Sequence, residues 1–125
     1  MDQIIHDFLA KERVCVLATP HASAMHFTFD ESSNVIYLMT RKGSRKLERL
    51  ELASLVVGFS EQEWITVQLD GKIETILGTE SIKNLILKKY PEEFKHMNEE
   101  TVFLAFSPTW WRYSDLKNNL LLENK

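Results

Sequence analysis

The sequence predicts an α+β fold, a small β-barrel with peripheral helices. Three observations carry this. Short apolar or alternating runs recur along the whole chain, polar turn clusters join them as hairpins, and the few stretches with a helical period lie between or outside them. At 125 residues and 44% hydrophobic content the chain fits a single domain, residues 1–125, with one core that needs no disulfide staple.

Taken in order, Ile4, Ile5, Phe8 and Leu9 recur at helical spacing behind Asp2, which predicts a short amphipathic helix ending near Lys11. Val14 to Thr19 is β-branched and apolar, and Pro20 ends it. From Ser23 to Phe29 the residues alternate, with Met25, Phe27 and Phe29 on one face and Ala24, His26 and Thr28 on the other. One strand with an apolar face and a small, polar face is expected there. The polar cluster Asp30 to Asn34 returns the chain as a partner strand, Val35 to Thr40.

Ser44 reads as the N-cap of a helix running to about Leu52, with Leu47, Leu50 and Ala53 as its narrow apolar face. Leu55 to Ser60 and Trp64 to Leu69 form a second hairpin. Asp70-Gly71 signals either a two-residue hairpin turn, with Lys72 to Leu77 folding back, or one long bent strand with a bulge at Gly71. Ser81 to Tyr90 is the clearest helix and Pro91 stops it, with a short helix and loop following to Glu100. Thr101 to Ser107 alternates as a strand, and Pro108 separates it from Trp110 to Ser114. Asp115 to Lys125 is a polar tail around Leu120, Leu121 and Leu122, which want a partner surface.

A formal charge of -3 and a pI near 5.8 oppose a general polyanion binder, so no nucleic-acid partner is expected. The lone Cys15 suits a reducing compartment, and the N-terminal ten residues lack the long apolar core of a signal peptide or membrane span. A cytoplasmic protein without a membrane partner is the expectation. No spacing of the histidines predicts a metal site, although haem, which needs one axial ligand, stays open.

The stretch with most chemistry in it is Thr40-Arg-Lys-Gly-Ser-Arg-Lys46, at a strand's end. Hydroxyls and cations around a glycine, followed by a helix start, make an anion seat for which a phosphate is the natural occupant. A solvated basic loop with a capped helix is the alternative. Beyond this stretch no second cluster of Arg, Lys and hydroxyls stands near a strand end, which leaves a phosphate-bearing substrate without its own seat.

The order of these motifs resembles the pyridoxamine 5'-phosphate oxidase-like family, the FMN-binding split barrels. The likeness runs from the first helix through Val14 to Thr19, the Pro20-His21 turn and Ala22 to Phe29 into Thr40 to Lys46, and on through Val67 to Glu74 to Phe106-Ser107-Pro108 and Asp115. The resemblance implies that Thr40, Ser44, Arg45 and Lys46 hold the FMN phosphate, that Ala24, Met25 and His26 run beside the isoalloxazine ring, and that Trp111 or Trp110 covers it. It also implies a homodimer with shared sites, in which Thr66 or Gln68 reaches the partner's flavin, and a single bent strand at Gly71. The chain departs from pyridoxamine phosphate oxidase proper in its C-terminal segment and in the neutral Ala, Ser and Met beside the ring. An FMN-dependent oxidoreductase acting on a small-molecule substrate is implied, with no catalytic side chain assigned. The other class is a non-catalytic carrier of flavin, haem or a vitamin phosphate on the same barrel.

Overall fold

The computed structural model describes residues 1–124, so Lys125, the last residue of the expected tail, lies outside the described residues. Eight antiparallel strands form one curled sheet: β1 Val14–Ala18, β2 Ala22–His26, β3 Thr28–Asp30, β4 Val35–Arg41, β5 Leu52–Gly58, β6 Ile65–Ile76, β7 Thr101–Asp115 and β8 Leu120–Glu123. Two helices flank it, α1 Gln3–Lys11 and α2 Glu80–Lys89. The strand order is β2-β1-β5-β6-β7-β4-β3, with β8 added to β7.

The two ends of that path, β2 and β3, are neighbours in sequence. Only Phe27 separates them, so the chain steps from one edge of the sheet to the other and curls it into a barrel. This is why the expected single strand from Ser23 to Phe29 is two. Its first half pairs with β1, Val16 opposite Ala24, and its second half with β4, Phe29 opposite Ile36. Among the described residues, the open edge of β4 past Tyr37 has no strand partner, and neither has the outer edge of β2. The barrel is therefore split along this seam.

Alternation along the strands builds the core: Cys15, Leu17, Ile36, Leu38, Leu55, Val57, Val67, Leu69, Leu104 and Phe106 point inward and are buried. Ile5, Phe8 and Leu9 of α1 close one end, behind an N-cap in which Asp2 accepts from the Ile4 N–H at 3.0 Å. A smaller cluster of Ile86, Tyr90 and Phe103 fixes α2 against the outer face of β4 and β7.

Three further expectations are corrected. The helix expected from Ser44 to about Leu52 is a single 3-10 turn, Arg45–Leu47, because Leu52–Gly58 is claimed as a strand by β1 on one side and β6 on the other. Pairing on both edges outweighs the local helical period. Pro108 does not divide the last strand: the register passes from Asp70 opposite Trp110 to Gly71 opposite Pro108, leaving Thr109 as the extra residue of a bulge where a missing N–H is tolerated. Gly71 is needed at that point, since a Cβ there would lie 2.3 Å from the Ser107 carbonyl oxygen. The tail is strand β8, turned back by Asp115, which accepts from the Asn118 N–H at 3.1 Å and from Asn118 Nδ2 at 2.8 Å. Leu122 packs on the core, while Leu120 and Leu121 stay exposed.

The long bent β6 agrees with the family pattern rather than with a hairpin at Asp70-Gly71. Among the described residues no helix is long and apolar enough to cross a membrane.

A candidate cofactor site in the split

A cavity of about 250 Å3 opens at the seam. β2 supplies Ala24, Met25 and His26, β4 supplies Tyr37 and Met39, and Lys46 enters from the following loop. The far wall is Ile86 and Tyr90 at the end of α2, with Glu93 from the 3-10 turn Pro91–His96.

The loop after β4 turns at Gly43, whose φ of +82° is open to glycine at no steric cost. Lys46 then folds back, and its Nζ donates to Ser44 Oγ at 2.8 Å and to Thr40 Oγ1 at 3.2 Å. Thr19 Oγ1 donates to the Lys46 carbonyl at 3.1 Å and fixes the loop to the end of β1. Ser44 occupies the N-cap position but makes no cap hydrogen bond, its hydroxyl being turned to Lys46. One 3-10 turn carries little dipole, so the helix-start attraction expected from the sequence drops out and the seat is one of side-chain charge and hydroxyls. The Arg45 guanidinium rests on the His21 ring, with Nη2 2.8 Å from Nδ1.

Neither Arg45 nor Lys46 pairs with a carboxylate among the described residues. Two cations and two hydroxyls without a counter-ion fit a phosphate. The chemistry of this donor set is that of a phosphate monoester site.

The far wall is built differently. Tyr90 is 1% exposed, and its hydroxyl lies 2.6 Å from the Phe27 carbonyl oxygen and 2.8 Å from that of Arg13. Burial pushes the phenol up to about 12. The His26 ring lies flat on Tyr90, centroids 4.6 Å apart at 12°, and its Nδ1 is 3.4 Å from Glu93 Oε1. Arg13 sits over the same phenol ring at 4.6 Å and pairs with Glu92 at 3.1 Å. Lys89 donates to the carbonyls of Leu9 and Glu12, and burial together with Arg13 lowers its ammonium to about 8.

Of the residues expected at the site, Ala24, Met25, His26 and Lys46 line the cavity, and Thr40 and Ser44 join it through Lys46 Nζ. Arg45 flanks the seat on His21. Trp111 lies apart on β7, opposite Leu69, its N–H donating to Asn124 Oδ1 at 2.7 Å. Tyr37, Tyr90 and Glu93 were not singled out by the sequence. Tyr90 before Pro91 reads only as a helix end, and nothing local in the sequence ties Glu93 to His26.

A second groove, of about 370 Å3, shares Met39 and Glu93 with the cavity and Thr40 and Arg41 with the seat stretch, and adds Lys95, His96 and Thr101. Arg41 and Lys95 are separated in sequence by β5, β6 and α2, so only the fold brings them together. Among the described residues no group of three or more His, Cys, Asp or Glu side chains is placed to hold a metal ion.

A curled antiparallel sheet, open along one seam and bearing a cation and hydroxyl seat there, defines a split-barrel protein. The chain belongs to the pyridoxamine 5'-phosphate oxidase family, whose sequence model, described as Pyridoxamine 5'-phosphate oxidase, matches residues 1–115. A conserved hypothetical protein of Mycobacterium tuberculosis has a similar structure (TM-score 0.76, 23% identity, 96% of this chain and 88% of that one covered). So has general stress protein 26 of Bacillus anthracis (TM-score 0.76, 18% identity, coverage 98% and 97%). The haem storage protein HutZ of Vibrio cholerae shares the fold at greater distance (TM-score 0.69, 12% identity, coverage 86% and 89%). No curated protein sequence matches the chain.

Proposed function

We propose that the chain binds FMN in the split as a homodimer and is an oxidoreductase acting on a small-molecule substrate. One observation carries this: Lys46 is held by Thr40 and Ser44, beside Arg45, with no carboxylate among the described residues to neutralise either cation. In this reading these four residues take the phosphate. Ala24, Met25 and His26 present the unpaired edge of β2 to the ring, and the small side chain of Ala24 admits a flat group closely.

A cavity of about 250 Å3 is smaller than the roughly 300–1,000 Å3 that buries a drug-sized ligand, so a second copy completes the enclosure. The outer face of β1 supports the same reading, since Val14 and Val16 are 53% and 44% exposed beside Val56. Trp111, outside its own cavity, would cover a ring only across such a dimer.

Bound flavin supplies the electron transfer. The protein binds and orients it, and the Tyr90 wall excludes water from one side.

The absorption spectrum of the purified chain, before and after FMN is added, tests the reading. A protein-bound flavin spectrum is expected. A Soret band from co-purified haem would favour the haem carrier, and a chain that takes up neither cofactor overturns the proposal. Light scattering on a sizing column should give a dimer with FMN present, and a monomer at micromolar concentration would contradict the shared site.

A further inference from the structure

We propose that His26 is the proton donor and acceptor of the cavity and that Glu93 is the residue that positions it, an assignment that rests on the flavin reading above. The ring is held on two sides. Its face lies on Tyr90 at 4.6 Å, and that platform is itself fixed, with its hydroxyl between the carbonyls of Phe27 and Arg13. Its Nδ1 is turned to Glu93 Oε1, so Nε2 is the ring nitrogen left for a ligand.

Exposure separates the two partners. The Glu93 side chain is 19% exposed and the imidazole 45%, so the carboxylate is the shielded, positioning member and the ring the accessible one. The turn carrying Glu93 is tied down one residue earlier by the Arg13–Glu92 pair. A histidine stacked on an anchored aromatic and oriented by a shielded carboxylate has more support than a packed surface ring needs.

The charged groups around the ring and its Tyr90 platform are Glu93 from the 3-10 turn, Arg13 and Lys89 over Tyr90, and Lys46 on the same cavity wall. Two-electron reduction of a flavin takes up two electrons and two protons. His26 supplies one proton from Nε2 of the imidazolium and is left as neutral imidazole, which water reprotonates. The other proton comes from solvent.

The test is a spectroelectrochemical titration of the FMN-loaded protein with dithionite as reductant, across the pH range in which imidazole ionises, beside FMN binding by fluorescence. The pH dependence of the flavin midpoint potential should differ between the wild-type protein and His26→Gln across this range. Glu93→Gln, which keeps the imidazole but removes the carboxylate at its Nδ1, should give an intermediate profile. Both variants alter partly exposed side chains, and their melting curves should stay close to wild type. Tight FMN binding with the same pH profile in the wild-type protein and both variants overturns the assignment alone. No FMN binding by the wild-type chain overturns the flavin reading, and this assignment with it.

Discussion

The two ends of the cavity hold their side chains in opposite ways. At the seat, Lys46 and Arg45 are kept in place by hydroxyls and an imidazole on a one-turn loop, half-buried or exposed, with their charge unanswered. At the far wall Tyr90 is fully enclosed, every polar atom it brings inside is satisfied, Arg13 is paired with Glu92, His26 faces Glu93, and Lys89 is held by backbone carbonyls. The wall is packed into the fold, and the proposed function gives the seat to binding. A cation left without a counter-ion is a small cost to the fold when it stays wet, and becomes an attraction when an anion arrives.

The largest effect should fall on stability at the wall. Tyr90→Ala removes a buried ring and should cost about 3–5 kcal/mol in urea unfolding, by analogy with other buried aromatics. Tyr90→Phe keeps the ring and should still cost about 1–3 kcal/mol, since the Phe27 and Arg13 carbonyls lose their donor. A change below a few tenths of a kcal/mol for Tyr90→Ala would remove the contrast with the seat.

Next comes Lys46→Ala, which should alter stability by no more than about 0.5 kcal/mol. Its FMN affinity should fall by roughly ten- to a hundredfold, the equivalent of about 1.5–3 kcal/mol for a charge-assisted contact. Parallel unfolding and fluorescence titrations check both halves. If the variant unfolded as readily as Tyr90→Phe, seat and wall would not be separable.

A smaller signature lies in alkaline unfolding. Burial pushes the Cys15 thiol up to about 12 from 9.0, so the unfolded chain releases that proton first and stability falls as pH rises from 9 toward 12. Tyr90, raised to about 12 from 10.0, acts in the same direction above pH 10. Lys89 works the other way. Its ammonium, lowered to about 8 from 10.5, is a cost that is complete below pH 8 and relieved as pH rises to 10.5. Stability should therefore rise between pH 8 and 9, stay nearly level from 9 to 10 where Cys15 and Lys89 offset each other, and fall above pH 10. Lys89→Met should abolish the rise, and Cys15→Ala should soften the fall, in urea melts at stepped pH.

These contrasts explain how far the sequence could be read. Strands with clean alternation, such as β1, β4 and β5, were legible because burial on one face writes itself into every second residue. The break at Phe27 was not, because the alternation runs straight through it and only the change of partner from β1 to β4 divides the strand. Likewise, Leu47, Leu50 and Ala53 keep a helical period by accident of a loop that rests on the core. The group of cations and hydroxyls from Thr40 to Lys46 was visible since its residues are contiguous. The Tyr90 wall, the His26–Glu93 pair and the groove at Arg41 join residues from distant elements, and no local spacing encodes them.

The smallest effect expected is at that groove. Arg41 is exposed at the end of β4, so Arg41→Ala should change FMN affinity by less than about fivefold, within the range of a solvated charge. A loss as large as that for Lys46→Ala would extend the seat into the groove.

The seat itself is tested most directly by titrating FMN and riboflavin into the wild-type chain and into an Arg45→Ala, Lys46→Ala double variant, with flavin fluorescence as the readout. The two ligands differ only in the phosphate. The wild-type protein should bind FMN far more tightly than riboflavin, and the double variant should bind the two with nearly equal, weak affinity. FMN binding unchanged by the double substitution would place the phosphate elsewhere and contradict the account.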